Sequence, residues 1–379
     1  MPDLKEYIWI DNSEEFSKHL PHLLNTKYIS IDLEADNQHL YKEQICLIQL
    51  STDTNNYLID ALNFKEINEL QEAFANKDII KIIHDLEFDL RILSKDYGFK
   101  FQNLFDTKMA AELGKEEKCG LSSLLEKHFE LKLNKKYQKA NWTKRPLDEE
   151  MLQYSVNDSF YLFDLMNIQI KNLKDLDRRQ WLEEECQLKE NYEYIQPPYP
   201  EYFQIRDSNK LKGKQLNLFI NIYNAREEIA KLKNISKFQI LSNKNLMAIS
   251  YAFPKEKNTK ELKKYIRNNY ADQLTPIIQQ AYIQIEHEKE VSHPNKKIKN
   301  RNFVKSNIQK IKYWRMETSE KFSIPAVYIW PTEAIGYIAN DPNCLLDGIE
   351  KLPGIRKWQI QEIGPLFIKQ VKSQLKPVR

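Results

Sequence analysis

The sequence contains few cysteines and few glycines for its length. Its 379 residues include only four cysteines and eight glycines. The cysteines are scattered and form no Cys-x-x-Cys pair, which argues against a zinc site and favours a reduced, cytoplasmic compartment. No Gly-x4-Gly-Lys-Ser/Thr phosphate loop is present, which disfavours a helicase. No apolar run approaches the length that crosses a membrane and no secretory signal is visible, so we expect no membrane association.

Charge is distributed unevenly along the chain, although the net charge is only +3. Residues 1–190 hold 25 lysines and arginines against 36 acidic residues, whereas residues 191–379 hold 32 against 18. Such an asymmetry is typical of a polyanion-binding module attached to a module of different chemistry. We therefore expect the basic half to hold nucleic acid and the acidic half to act on it. The alternative is that both halves carry ordinary solvated charged faces.

Two carboxylates follow an apolar run near the start of the chain. Residues 28–31 are apolar and β-branched enough to predict a buried strand, and Asp32 and Glu34 come directly after them. Because side chains alternate between the faces of a strand, Asp32 and Glu34 project from the same face. Two like charges side by side are tolerated when a cation lies between them. An exposed acidic strand end is the alternative for this pattern taken alone.

Two later segments add further carboxylates. Residues 79–83 predict a strand that leads into a helix over residues 86–97, with Asp89 in its first turn and Gly98 as its stop. A second helix is predicted to begin at Asp148. Tyr154 and Asp158 lie four residues apart in it, and so share one helix face.

These three segments resemble the three exonuclease motifs of the DEDD superfamily of 3′→5′ exonucleases, in the branch whose third motif carries a tyrosine. More narrowly, they are similar to ribonuclease D and its relatives. The resemblance rests on Asp32-x-Glu34, on the segment from His84 to Asp89, and on Tyr154-x3-Asp158 with its lead-in from Trp142 through residues 145–147. Three motifs in order with matching connectors are far more specific than any one of them.

The resemblance implies an α/β, ribonuclease H-like exonuclease domain, a mixed sheet flanked by helices, over residues 1–195. Two small all-α bundles of the HRDC type (the helicase and ribonuclease D C-terminal domain) are expected at residues 205–288 and 304–379, with a basic linker at 289–303. The prolines of residues 194–201 mark the boundary between the two halves.

The second half also contains an internal repeat with a period of 89 residues. Arginines and apolar residues coincide when the sequence is shifted by that distance, for example Arg226 with Arg315 and Ile240 with Ile329. Repeats at a fixed period indicate repeated architecture. The first copy, with Tyr223-x-x-Arg226, resembles an HRDC domain, and the second is more divergent.

The resemblance assigns roles to individual residues. The catalytic residues would be Asp32, Glu34, Asp89, Tyr154 and Asp158, of which the four carboxylates would hold two divalent cations, Mg²⁺ or Mn²⁺, and Tyr154 would orient the attacking water. Substrate contacts are expected from His84, Gln49, Phe88, Lys135 and Trp142, although a strand-end histidine such as His84 is as often structural.

The predicted function is metal-dependent 3′→5′ exoribonuclease activity on structured RNA such as tRNA precursors, by a cytoplasmic protein expected to be a monomer. An exonuclease acting mainly on DNA is an alternative, because the motifs do not reveal discrimination at the 2′-hydroxyl. A non-catalytic RNA-binding protein is the third hypothesis. It is disfavoured because all five catalytic positions are intact.

Overall fold

The computed structural model describes residues 4–36, 38–133, 135–252, 265–266, 270–285, 289–292 and 301–375, without the side chains of Lys135, Lys139 and Arg301. The predicted basic linker at 289–303 therefore lies largely outside the described residues. Over these ranges the chain forms one mixed sheet flanked by helices, followed by a helical C-terminal region. None of the helices in them is both long and apolar enough to span a membrane.

The sheet has six strands in the order β1-β4-β3-β2-β5-β6. Their bounds are β1 (Ile8–Ile10), β2 (Tyr28–Asp36), β3 (Gln44–Ser51), β4 (Asn56–Ile59), β5 (Ile80–Ile83) and β6 (Leu104–Asp106). The strands β2, β3 and β4 form an antiparallel meander, whereas β1, β5 and β6 join by parallel pairing. The predicted mixed sheet is confirmed. The two outer strands, β1 and β6, were not predicted, because three residues are too few to show a period.

Eight helices accompany the sheet in the described ranges. They are α1 (Ser13–Asn25), α2 (Leu70–Ala75), α3 (Glu87–Tyr97), α4 (Thr107–Leu113), α5 (Leu121–Phe129), α6 (Glu149–Phe160), α7 (Leu162–Asp175) and α8 (Arg179–Gln187). Gly98 ends α3 in the left-handed conformation at φ 72°, as predicted. Asp148 has the extended backbone of an N-cap for α6, but its side chain makes no capping hydrogen bond.

The apolar spacing of residues 63–75 predicts a helix over that whole stretch, but in the structure α2 begins only at Leu70. The preceding segment is a turn, in which the amides of Asn63 and Phe64 donate to the carbonyl of Asp60 at 3.2 and 2.9 Å. Phe64 and Ile67 are nevertheless buried in the core. Their burial produces an apolar spacing that mimics a longer helix.

The C-terminal region contains two helical bundles that follow the 89-residue repeat. The first consists of α9 (Lys214–Lys233), α10 (Lys237–Ile240), α11 (Asn243–Ala252) and α12 (Ala271–Gln284), and the second of α13 (Arg301–Phe322), α14 (Ala326–Ile329), α15 (Thr332–Asn340), α16 (Lys357–Glu362) and α17 (Gly364–Gln370). Helices α10 and α14 are displaced by 89 residues at both ends, and α11 and α15 at their first residue. The sequence repeat is therefore a structural repeat.

The equivalence extends to individual hydrogen bonds. Arg226 donates from Nη1 to the carbonyl of Leu241 at 3.0 Å and to Asn243 Oδ1 at 2.8 Å. Arg315 donates from Nη1 to the carbonyl of Trp330 at 3.1 Å and to Thr332 Oγ1 at 3.3 Å. Both acceptors in the second bundle lie 89 residues after those in the first. Each arginine thus ties the long first helix of its bundle to the turn between the two short helices.

We expect the loss of these two arginines to have unequal effects. Arg226 is fully buried, whereas Arg315 is partly exposed. Arg226→Met leaves buried acceptors without a donor and should lower the free energy of unfolding by about 1–3 kcal/mol. Arg315→Met should cost less, because water can reach its acceptors. Urea unfolding of the two variants beside wild type measures the difference, and equal destabilisation would contradict it.

The second bundle packs directly on the region that contains the sheet. Trp358 stacks on Trp181 of α8 with ring centroids 4.3 Å apart and planes 13° apart. Tyr328 Oη donates to Glu112 at 2.6 Å. The two regions share one buried cluster of apolar side chains. Removing the second bundle would therefore expose apolar core surface of the sheet-containing region.

The first bundle has its own core and contacts the loop after β2. The amide of Ser236 donates to the carbonyl of His39 at 3.1 Å, and Gln239 Nε2 donates to the carbonyl of Gln38 at 2.8 Å. Tyr41 of the same loop packs against the bundle core. The strand that carries Asp32 and Glu34 therefore continues into the segment on which the first bundle lies.

Candidate active site

Strand β2 places Asp32 and Glu34 inside the sheet. It pairs with β3 on one side and with β5 on the other, so its side chains project from the middle of the sheet. Both carboxylates are half-buried. The apolar residues before them, Ile29 and Ile31, are fully buried and anchor the strand. The sequence pattern thus becomes two neighbouring carboxylates on one face.

Helix α6 brings a third carboxylate to the same place. It packs against β2 and β3, and Asp158 is only 5% exposed. One carboxylate oxygen from each of Asp32, Glu34 and Asp158 lies within 4.8 Å of the others. Among the residues that the structure describes, this is the one group of three or more potential metal ligands at such distances.

Tyr154 lies one helical turn before Asp158 and is 7% exposed. Its ring packs against those of Tyr137 and Trp142, with centroids 5.5 and 6.3 Å apart. Burial, and then the charge of Asp158, raise the pKa of Tyr154 far above its ordinary value of 10. The phenol is therefore protonated at neutral pH. It can donate a hydrogen bond but cannot act as a base there.

Asp89 lies in the first turn of α3 and is 5% exposed. It is not part of the group within 4.8 Å. Its pKa is raised well above the ordinary value, first by burial and then by the charge of Asp32. Asp89 is therefore close enough to Asp32 for their charges to interact. The structure brings all four predicted carboxylates to one region.

Burial raises the pKa of all four carboxylates, and the charge of Asp32 adds to the rise at the other three. Burial is the largest cause, and it raises the pKa of Asp32 from 3.8 to about 7. The pKa values of Glu34 and Asp158 are also raised well above their ordinary ranges, by burial and then by the charge of Asp32. Such a cluster favours either protons or a cation between the oxygens.

The donor set fits a hard divalent cation. The three clustered ligands are carboxylates only, and oxygen ligands are those that Mg²⁺ and Mn²⁺ prefer. Neither histidine nor cysteine contributes to this cluster, whereas structural zinc sites are built mainly from those residues. The composition of this cluster therefore agrees with the prediction of a magnesium or manganese site.

His84 is a neutral side chain with a structural partner. Its Nδ1 lies 2.9 Å from Thr107 Oγ1, and burial lowers its pKa to about 4. It therefore carries no charge with which to attract phosphate at neutral pH.

Asp106 next to Thr107 accepts hydrogen bonds from the amides of Asp85, Leu86, Lys108 and Met109 at 2.7–3.1 Å. This buried aspartate caps α4 and also fixes the backbone that leads to Asp89.

The structure corrects two of the predicted substrate contacts. Gln49 is fully buried and Trp142 is 2% exposed, so neither presents its side chain to a nucleotide. Trp142 packs behind Tyr154 and donates from Nε1 to the carbonyl of Tyr137 at 3.2 Å. Phe88, by contrast, precedes Asp89 in α3 and is 41% exposed, so its ring is accessible to a base. The side chain of Lys135 lies outside the described part of the chain.

Sequence reasoning missed the role of Arg145. Its guanidinium donates from Nε to Asp60 Oδ2 at 2.7 Å and from Nη2 to Asp60 Oδ1 at 2.6 Å. A further bond from Nη2 reaches the carbonyl of Cys46 at 2.9 Å. Arg145 thus holds the segment before α6 to the sheet, which positions Tyr154 and Asp158. The arginine was visible in the motif, but its partner lies 85 residues earlier.

Comparison with known proteins gives a consistent result. Residues 7–174 match the sequence profile of a 3′-5′ exonuclease family. Ribonuclease D of Desulfotalea psychrophila is 31% identical over 256 residues, which cover 66% of this chain and 68% of that protein. The exosome complex exonuclease RRP6 of Saccharomyces cerevisiae is 37% identical over 166 residues, 44% of this chain but only 22% of that one. The fold resembles the crystal structure of Escherichia coli RNase D, with a TM-score of 0.71 at 18% identity over 98% of this chain and 100% of the other.

Proposed function

This chain belongs to the ribonuclease D family of 3′-5′ exoribonucleases, and from that premise we propose that it shortens structured RNA such as tRNA precursors by two-metal-ion hydrolysis of the terminal phosphodiester. The single observation that carries the proposal is the meeting of Asp32, Glu34 and Asp158 within 4.8 Å, with Tyr154 on the same helix face as Asp158. The resemblance inferred from the three motifs is confirmed by the comparisons.

The chemistry assigns a task to each residue. Asp32, Glu34 and Asp158 would hold one divalent cation, and Asp32 with Asp89 a second. When bound, such cations activate a water, neutralise phosphate charge and stabilise the leaving 3′-oxygen. The protonated Tyr154 would donate its hydrogen bond to orient the attacking water rather than remove a proton. The exposed ring of Phe88 would stack on the terminal base.

The basic C-terminal half supports a second part of the proposal. We assign both helical bundles to the HRDC type on the resemblance of the first copy, and the matching bonds of Arg226 and Arg315 support the same architecture for the second. The bundles would hold the body of the RNA while its 3′ end enters the site.

Location in the cytoplasm, the monomeric state and the domain limits at residues 195, 205, 288 and 303 stay predictions.

The experiment that tests this function uses a 5′-labelled RNA with an unpaired 3′ tail and a DNA strand of the same sequence. Each is incubated with the full chain in Mg²⁺, in Mn²⁺ or in chelator. We expect a ladder that shortens from the 3′ end, needs the metal and is weak on DNA. Equal decay of DNA would favour the DNA exonuclease. Binding of RNA without decay would favour the non-catalytic protein.

Tyr154→Phe should reduce turnover while it leaves metal and RNA binding intact. The substitution removes only the hydroxyl that orients the water, and misplacement of a reacting group by about 1 Å costs roughly 10²-fold in rate. Single-turnover cleavage together with Mn²⁺ binding measures both parts.

Tyr137→Phe is the matched control for Tyr154→Phe. Its ring contacts that of Tyr154, but its hydroxyl bonds to the exposed Glu150 outside the carboxylate cluster. It should keep turnover within about threefold of wild type, an effect of under 1 kcal/mol. If Tyr154→Phe weakened Mn²⁺ binding, the tyrosine would act on the metal site rather than on the water.

A further inference from the structure

Gln49 lies directly opposite Asp32 in the sheet. The two residues are register partners in the antiparallel pair of β2 and β3. Side chains of directly opposed residues project from the same face, with Cβ atoms about 4.5–5.5 Å apart. Gln49 therefore shares the face of the carboxylate that lies at the centre of the cluster. On its other side the register partner in β4 is the apolar Leu58.

Helix α6 covers this position completely. Leu47, two residues before Gln49, belongs to the apolar cluster around Tyr154. Ser51, two residues after it, lies with its Oγ 2.8 Å from that of Ser159 in α6. Gln49 has the same orientation between them and is 0% exposed. It is thus part of the layer beneath the site and does not border the bound nucleotide.

The amide of Gln49 has no hydrogen-bond partner among the described residues, at either its oxygen or its nitrogen. A buried amide without a partner is unfavourable, and such groups are rare in folded proteins. Leu47 and Leu58 offer no polar atom to it. The carboxylate of its register partner Asp32 does, since an ionised carboxylate accepts hydrogen bonds at both oxygens.

We propose that Gln49 is a positioning residue for Asp32, whose carboxylate it orients by donating its side-chain N–H when that carboxylate holds a divalent cation. This inference rests on the metal role of Asp32 in the proposed function. A ligating carboxylate has lone pairs left over, and a hydrogen bond to one of them fixes its rotation. Loss of such an outer partner typically weakens metal binding 10–100-fold.

Gln49→Met tests the inference, because methionine fills a similar volume without a donor. The affinity of the full chain for Mn²⁺ in the absence of RNA should fall roughly 10–100-fold. Electron paramagnetic resonance of the free ion measures this affinity. The unfolding temperature in chelator should stay the same or rise, because an unpaired amide has been replaced by an apolar group. The cleavage rate should recover as Mn²⁺ is raised to saturation.

Ser51→Ala is the matched control on the same strand and face. It removes the hydrogen bond to Ser159 and should lower the unfolding temperature without a change in Mn²⁺ affinity. Gln49→Leu gives a second apolar variant should the methionine be poorly accommodated. Mn²⁺ affinity of a folded Gln49 variant within twofold of wild type overturns the inference. Asp32→Asn tests the metal site separately from the role of Gln49. Unchanged Mn²⁺ binding in that variant would refute the metal site itself.

Discussion

Asp32→Asn should abolish the shortening of RNA from its 3′ end, with a loss of at least roughly 10³-fold in single-turnover rate. Asp32 is the one carboxylate whose charge acts on all three of Glu34, Asp89 and Asp158. An amide at that position supplies one neutral oxygen in place of a shared anionic ligand. Metal ions contribute several kcal/mol to the stabilisation of the transition state, and each 1.36 kcal/mol is tenfold in rate.

Glu87→Gln is the matched control for Asp32→Asn. It also removes one acidic charge within a motif segment, but Glu87 is exposed and pairs with Lys189 at 2.5 Å. Its rate should remain within about threefold of wild type. Residual cleavage by Asp32→Asn at a tenth of the wild-type rate would show that the cluster is not the catalytic centre. The 5′-labelled RNA ladder gives both rates from one gel.

The carboxylate cluster could be predicted from the sequence because each part of it follows from local geometry. Alternation along a strand places Asp32 beside Glu34, and the four-residue spacing of a helix places Tyr154 beside Asp158. The resemblance then supplied the assembly of segments that lie more than 100 residues apart. The resemblance also implied the mixed sheet, and the 89-residue repeat indicated the repeated bundle.

The rest depends on contacts that no local pattern contains. The sequence contains both Gln49 and Asp32 in predicted segments. Only the structure shows that they are register partners in β2 and β3 and that α6 buries Gln49. Trp142 lies in the lead-in to the third motif, yet its ring packs behind Tyr154 instead of facing the substrate. The stacking of Trp181 on Trp358 brings together residues that lie 177 positions apart in the sequence. Such pairings are set by packing, which a one-dimensional period does not report.

The metal-free protein should become less stable as the pH rises, and the cluster is the reason. Burial raises the pKa of Asp32 from 3.8 to about 7, so the folded state binds a proton more tightly than the unfolded state does. At a pH between these two pKa values the folded state binds more protons than the unfolded state. The free energy of unfolding therefore falls as the pH rises, by an amount on the order of a few kcal/mol. Saturating Mn²⁺ should reverse the loss, because it binds only the folded cluster.

Thermal unfolding at pH 5 and pH 8, in chelator and in Mn²⁺, measures this coupling. Asp32→Asn cannot ionise at position 32, so its unfolding temperature should depend less on pH in chelator and rise less with Mn²⁺. In chelator at pH 8 the variant should be the more stable protein, although it is the inactive one. Asp85→Asn, which removes an exposed carboxylate paired with Lys108 at 2.6 Å, should behave as wild type. If the unfolding temperatures of Asp32→Asn and wild type changed equally with pH, ionisation of Asp32 would not be the cause of the lower stability at high pH.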